Sequence, residues 1–146
     1  MLLNKYLTFE QKTYIAMISA LFASILAFLY VVLVINVVRI RRAGKVAIGD
    51  AGNEELSYAI RGQSNFAEHV PLALLLIICL DLQEASLILV QILSLILVLA
   101  RISHAASLLY FERKKNIFNF RVIGTAGTMT SILIAAIVNI YLFTVQ

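Results

Sequence analysis

Between Arg61 and Leu76 the sequence reads RGQSNFAEHVPLALLL, which carries Arg61, Gln63, Asn65, Glu68 and His69 into an otherwise apolar run. Arg61, Asn65 and Glu68 follow one another at i, i+4 and i+7. A helix would therefore line them up as one polar stripe, with Gln63 and His69 along its edges. Related groups stand at Arg41 and Arg42, at Arg101 and His104, and at Arg121, each near the end of a long uncharged stretch. Arginines held inside a membrane usually pair with acids or line a cavity. Here Glu68 is the one acid clearly within a span on this side. It stands against Arg61 and Arg101 at similar depth and Arg41, Arg42 and Arg121 at the rim. The surplus of positive charge implies a guest anion.

The elements that must hold these groups are membrane helices. Of the 146 residues, 62% are hydrophobic and only 14% charged, against about 25% charged in soluble domains. The expected fold class is all-α, an integral membrane four-helix bundle, with residues 1–146 forming a single transmembrane domain. Its spans are expected at residues 13–38, 56–80, 85–111 and 121–145. The first run, Thr13 to Val38, is too long for the apolar core of a signal peptide, and no clear small-x-small cleavage site closes it. The residues before it, up to about Lys12, read as a short surface helix or a disordered end. A loop rich in Gly44, Gly49, Gly52 and Asn53 follows. The second helix is expected to start near Glu54 and Glu55, acids suited to a helix N-terminus, and to kink at Pro71. DLQEAS makes a tight turn, and ERKKNIFN, from Glu112 to Asn119, a basic loop.

Ten of the twelve Lys and Arg residues fall in or beside the first and third loops: Arg39, Arg41, Arg42, Lys45, Arg61, Arg101, Arg113, Lys114, Lys115 and Arg121. That face is expected to be cytoplasmic, and the net charge of +4 then reads as topology rather than nucleic-acid binding. Plainer readings stand beside the site. Arg39, Arg113, Lys114 and Lys115 can simply snorkel to headgroups of the membrane lipids. Arg61 and Glu68 can form a structural salt bridge, Asn65 a helix–helix hydrogen bond, and His104 a packing contact. Tyr58 and Tyr110 suit the interfacial aromatic belt. Gly124, Ala126 and Gly127 offer a small face for close helix packing, and Gln91, Ser94 and Asn139 can bond between helices. The single cysteine, Cys79, excludes an internal disulfide and sits in an apolar run that favours an inert thiol. No metal site has the required ligand spacing.

At these residues the sequence resembles the MAPEG superfamily, the membrane-associated proteins of eicosanoid and glutathione metabolism, and most closely its small bacterial branch. The resemblance covers nearly the whole chain. Its most specific part is R-x-Q-x-N-x-x-E with proline three positions later, here Arg61, Gln63, Asn65, Glu68 and Pro71. Arg41, Arg42 and Lys45, then Arg101 with His104, then Arg121 with Gly124 support it. The resemblance implies a homotrimer that binds glutathione, as co-substrate, between adjacent subunits in the cytoplasmic half of the membrane. The residues matching the family's ligands are Arg41, Arg61, Gln63, Asn65, Glu68 and Arg101, with His69 and His104 beside them. Arginines suit the two carboxylates of glutathione and Glu68 its ammonium. The expected location is a bacterial inner membrane or, alternatively, the endoplasmic reticulum.

The implied chemistry is thiol activation. Bringing a thiol from a pKa of about 8.5 to about 7 takes roughly 2 kcal/mol of thiolate stabilisation, which one charge-assisted hydrogen bond of about 1.5 to 3 kcal/mol supplies. The resemblance assigns that donor to Arg121 or Arg42. The thiolate then attacks a hydrophobic electrophile or lipid hydroperoxide, a glutathione transferase or peroxidase activity. Many members carry tyrosine where His69 stands, and several where Leu108 stands; neither hydroxyl is present here. Two other functions compete. One is a non-catalytic protein that binds a lipid or presents it to a partner. The other is an anion transporter, which would call for matched, interrupted spans that the sequence lacks.

Overall fold

A computed structural model describes residues 9–111 and 118–145. Four helices carry the described chain: α1 (Phe9–Gly44), α2 (Glu54–Leu82), α3 (Leu87–Ala106) and α4 (Asn119–Val145), and α3 runs directly into a π-helical turn, Ser107–Phe111. All four are long and apolar enough to cross a membrane, and the protein is an all-α integral membrane bundle. Residues 1–8 and most of the basic loop, with Arg113, Lys114 and Lys115, lie outside the described residues.

The helix ends follow local chemistry. The Asn53 side chain accepts from the Leu56 N–H (3.0 Å) and caps α2, while Glu54 and Glu55 place negative charge at the positive end of its dipole. Gly49 and Gly52 take φ of +71° and +74° in the loop before it, a conformation that glycine adopts without steric cost. α1 continues past the expected Val38, through Arg39, Arg41 and Arg42, to Gly44. Arginine is a good helix former, so the edge of the apolar stretch is not the end of the helix. α2 passes through Pro71 as one continuous helix.

Packing follows the helical period. On α2 the buried positions are Leu56, Ala59, Gly62, Phe66, Val70, Ala73, Ile77 and Leu80, three or four apart. Phe66, Val70, Ala73, Ile77 and Leu80 meet Leu26 and Leu33 of α1 and Val90, Leu93 and Leu97 of α3 in the main core, while Leu56 and Ala59 join Val37 and Ile40 of α1 in a second cluster. α4 contributes Gly124, Thr128, Ser131 and Ala135 at the same spacing. A side chain at Gly124 would come within 2.6 Å of the Ala100 carbonyl oxygen, and one at Gly127 within 3.0 Å of the Ala100 side chain. Gly124 and Gly127 of the small face expected on the fourth span therefore form the seam against α3 of the same chain, while Ala126 is exposed. α3 is the most enclosed helix, whereas α1 and α4 turn most of their apolar surface outward. Outward leucine, isoleucine and phenylalanine are what a lipid-facing surface calls for.

Candidate functional site

The polar stripe of α2 divides into two rows. Ser57, Arg61, Ser64 and Glu68, at i, i+4, i+7 and i+11, line an open cleft of about 510 Å³. Tyr58 and Ile60, Leu108 of the π turn and Arg121 at the start of α4 complete its walls. Arg61 and Glu68 are exposed in the single chain, and among the described residues neither has a hydrogen-bond or ion-pair partner. The structural salt bridge between them is not formed. Glu68 is the middle residue of the 29-residue α2. At a rise of about 1.5 Å per residue it sits well inside the apolar layer of a bilayer.

Asn65 belongs to the other row. It turns toward the interior, where its Oδ1 accepts from Nη1 of Arg101 (2.9 Å). Nη2 of Arg101 donates to the Gly124 carbonyl (3.3 Å). Arg101 is 2% exposed, and its Nε has no partner among the described residues. It is a buried tie between three helices rather than a wall of the cleft. His104, one turn further on, is also buried, packed against the bare Gly124 backbone. The plainer readings of Asn65 and His104, as an interhelical bond and a packing residue, describe their places in this chain.

The remaining candidates stand apart. Gln63 donates to the Tyr30 hydroxyl (3.2 Å) on α1, and Tyr30 stacks on Phe66 with ring centroids 5.6 Å apart. His69 Nδ1 lies 2.8 Å from the Asn65 carbonyl oxygen. Arg41 donates to the Ala47 carbonyl in its own loop (3.2 Å), and Arg42 is exposed on the last turn of α1. Neither lines the cleft of its own chain. The structure thus gathers Arg61, Glu68 and Arg121, and it does not bring Arg41, Arg42, Gln63, Asn65, His69, Arg101 or His104 into the same lining.

Sequence reasoning missed the hydroxyls. Ser57 and Ser64 flank Arg61 at i−4 and i+3, a signal readable from the helical period alone. A second, smaller cavity of about 230 Å³ shares Tyr58 and Leu108 with the cleft and is bounded by Asn36, Arg39 and Glu55. Arg39 donates there to Asn36 Oδ1 (3.0 Å). A third hollow, about 350 Å³ and apolar, lies between α1 and α2 against Ala23, Ala27, Tyr30, Phe66, Ala67 and Pro71.

Four membrane helices with an arginine-lined cleft beside the second define a class of compact, polytopic membrane proteins. Within that class, residues 19–141 match the model of the MAPEG family, and the chain belongs to that family. Inner membrane protein YecN of Escherichia coli K12 is 31% identical over 125 residues, covering 86% of this chain and 92% of that protein. YecN of Escherichia coli O6:H1 matches to the same extent. No solved structure matches.

Proposed function

We propose that the α2 cleft binds glutathione and that the protein is a membrane-bound glutathione transferase or peroxidase. The observation that carries this reading is the pair Arg61 and Glu68, opposite charges on one wall that face Arg121 and are not spent on each other. Such a set suits a guest with carboxylates and an ammonium. The arginines take the carboxylates by charge-assisted hydrogen bonds, and Glu68 takes the ammonium. Between the two candidate thiolate donors, Arg121 is favoured over Arg42 because it lines the cleft. In the transferase reaction the thiol gives its proton to water, and the sulfur forms a bond to the electrophilic carbon of a substrate dissolved in the bilayer as that carbon's bond to its leaving group breaks and the group departs with the electron pair.

A homotrimer belongs to the same proposal. A charged side chain at a membrane helix centre costs roughly 2.5 to 3.5 kcal/mol on insertion scales, so an exposed Glu68 favours coverage by a second copy. Such a copy can also bring Arg41 and Arg42 to the site. The cationic ends of α1 and α4 favour a cytoplasmic cleft, in an inner membrane like that of YecN. Fusion of a topology reporter to the first loop tests this orientation: a periplasmic signal contradicts it.

Calorimetry of the detergent-purified protein tests the reading. Saturable glutathione binding that is lost in Arg61→Ala and Glu68→Gln is the expected result. A folded wild type that binds no glutathione rejects it. A second reading, a lipid-binding protein without thiol chemistry, draws on the apolar hollow between α1 and α2. It is distinguished by the absence of a thiolate absorption band when glutathione is added at neutral pH.

A further inference from the structure

We infer that Arg101 is a positioning residue that sets the distance between the two walls of the cleft from behind, without touching the guest. This role rests on the cleft being a binding site and follows from register. Asn65, the acceptor of Nη1, lies on α2 between Arg61, four residues before it, and Glu68, three after. Gly124, the acceptor of Nη2, lies on α4 three residues after Arg121. One planar guanidinium on α3 thus bridges the turn that carries the acid and one arginine to the turn that carries the other arginine.

The surrounding structure is shaped for this bridge. The absent side chain of Gly124 lets α4 approach until its carbonyl is within reach, since a Cβ there would meet the Ala100 carbonyl oxygen at 2.6 Å and His104 N at 2.8 Å. The same carbonyl also accepts from the Thr128 hydroxyl (2.9 Å), which fixes its direction. Both acceptors of Arg101 are neutral. The two bonds therefore fix geometry rather than neutralise charge. Lysine supplies the charge but not the planar fork, so the two contributions can be separated.

The test is a double-mutant cycle on detergent-purified protein, with glutathione affinity from calorimetry. Asn65→Ala and Arg101→Met are each expected to weaken binding about tenfold, the size of one coupled interaction, and the double variant no more than either alone. Arg101→Lys is expected to fall with Arg101→Met. Additive losses, or a lysine variant that binds like wild type, overturn the inference and make Arg101 a ligand or a field source. A second readout needs no glutathione. In a Cys79→Ala background, alkylation of a Ser57→Cys protein by a charged thiosulfonate reports how open the cleft is. Asn65→Ala and Arg101→Lys should each speed it several-fold, which also carries the test should Arg101→Met fail to fold. Unchanged rates overturn the inference. Absent glutathione binding with accelerated alkylation rejects the proposed function and supports the brace.

Discussion

At one end of the bundle Ser19 donates to Asp81 (2.7 Å) and Gln83 to Asn139 (2.5 Å), while Asn139 also reaches the Leu76 and Ala135 carbonyls. Toward the other end Arg61 and the mid-helix Glu68 look into a cleft with no partner among the described residues. Both ends place strongly polar side chains among apolar helices, and both draw on α2. The first has closed its hydrogen bonds within the chain and thereby ties α1, α2 and α4 together. The second has left its charges open, at a cost that folding alone does not require. Polar residues inside a membrane protein thus fall into two kinds. What separates them is whether the chain itself satisfies them.

Several substitutions would break or sharpen that contrast. The largest effect is expected for Arg61→Ala, with glutathione affinity falling about ten- to a hundredfold, the worth of a charge-assisted hydrogen bond. Calorimetry measures it, and a melting temperature close to wild type should accompany the loss. Gly124→Val attacks the seam between the two kinds. With a backbone oxygen 2.6 Å from the new Cβ, overpacking should cost about 1 to 3 kcal/mol, read from denaturant-induced unfolding. Asn139→Leu opens the closed end. Its expected cost is about 1 kcal/mol of stability, with glutathione affinity unchanged, and a matching loss of affinity would show that the two ends are not separate. No loss of stability is expected for Glu68→Leu by the same unfolding assay, because it removes a charge left open among apolar helices. A large destabilisation there would mean that Glu68 is a structural residue after all.

Much of the fold was legible because apolar length and helical period are properties of single segments. The second helix begins at Glu54 with Asn53 as its cap, where the acids and the turn formers place it. The cleft was legible only in part. The spacing of Arg61, Asn65 and Glu68 fixes the width of a face but not which neighbour each edge meets. α3 and α4 divide that face, sending Asn65 inward. The place of Arg101 was readable, since Val90, Leu93, Leu97, Arg101, His104 and Leu108 form one buried row at three- and four-residue spacing. Continuing the core stripe through a charged residue gives the right side of the helix. That Arg42 stays out of the cleft of its own chain depends on how α1 packs, which no local pattern encodes.

The π-helical turn Ser107–Phe111 makes chain length, and not only side-chain identity, a variable of the fold. Such a turn holds one more residue than the α-helical turn it replaces. Everything before it keeps the buried row of α3, and each residue after the extra one is rotated by about 100°. Leu108 contacts both cavities and Leu109 the smaller one. Gaining or losing one residue here is therefore a way to exchange a side chain of the smaller cavity while the four spans and the Arg101 tie stay where they are. Deleting Leu109 should reshape the smaller cavity and leave Leu108 in the cleft wall, with a loss of stability because Leu109 packs against the core; the scaffold thus changes a cavity through length rather than through substitution.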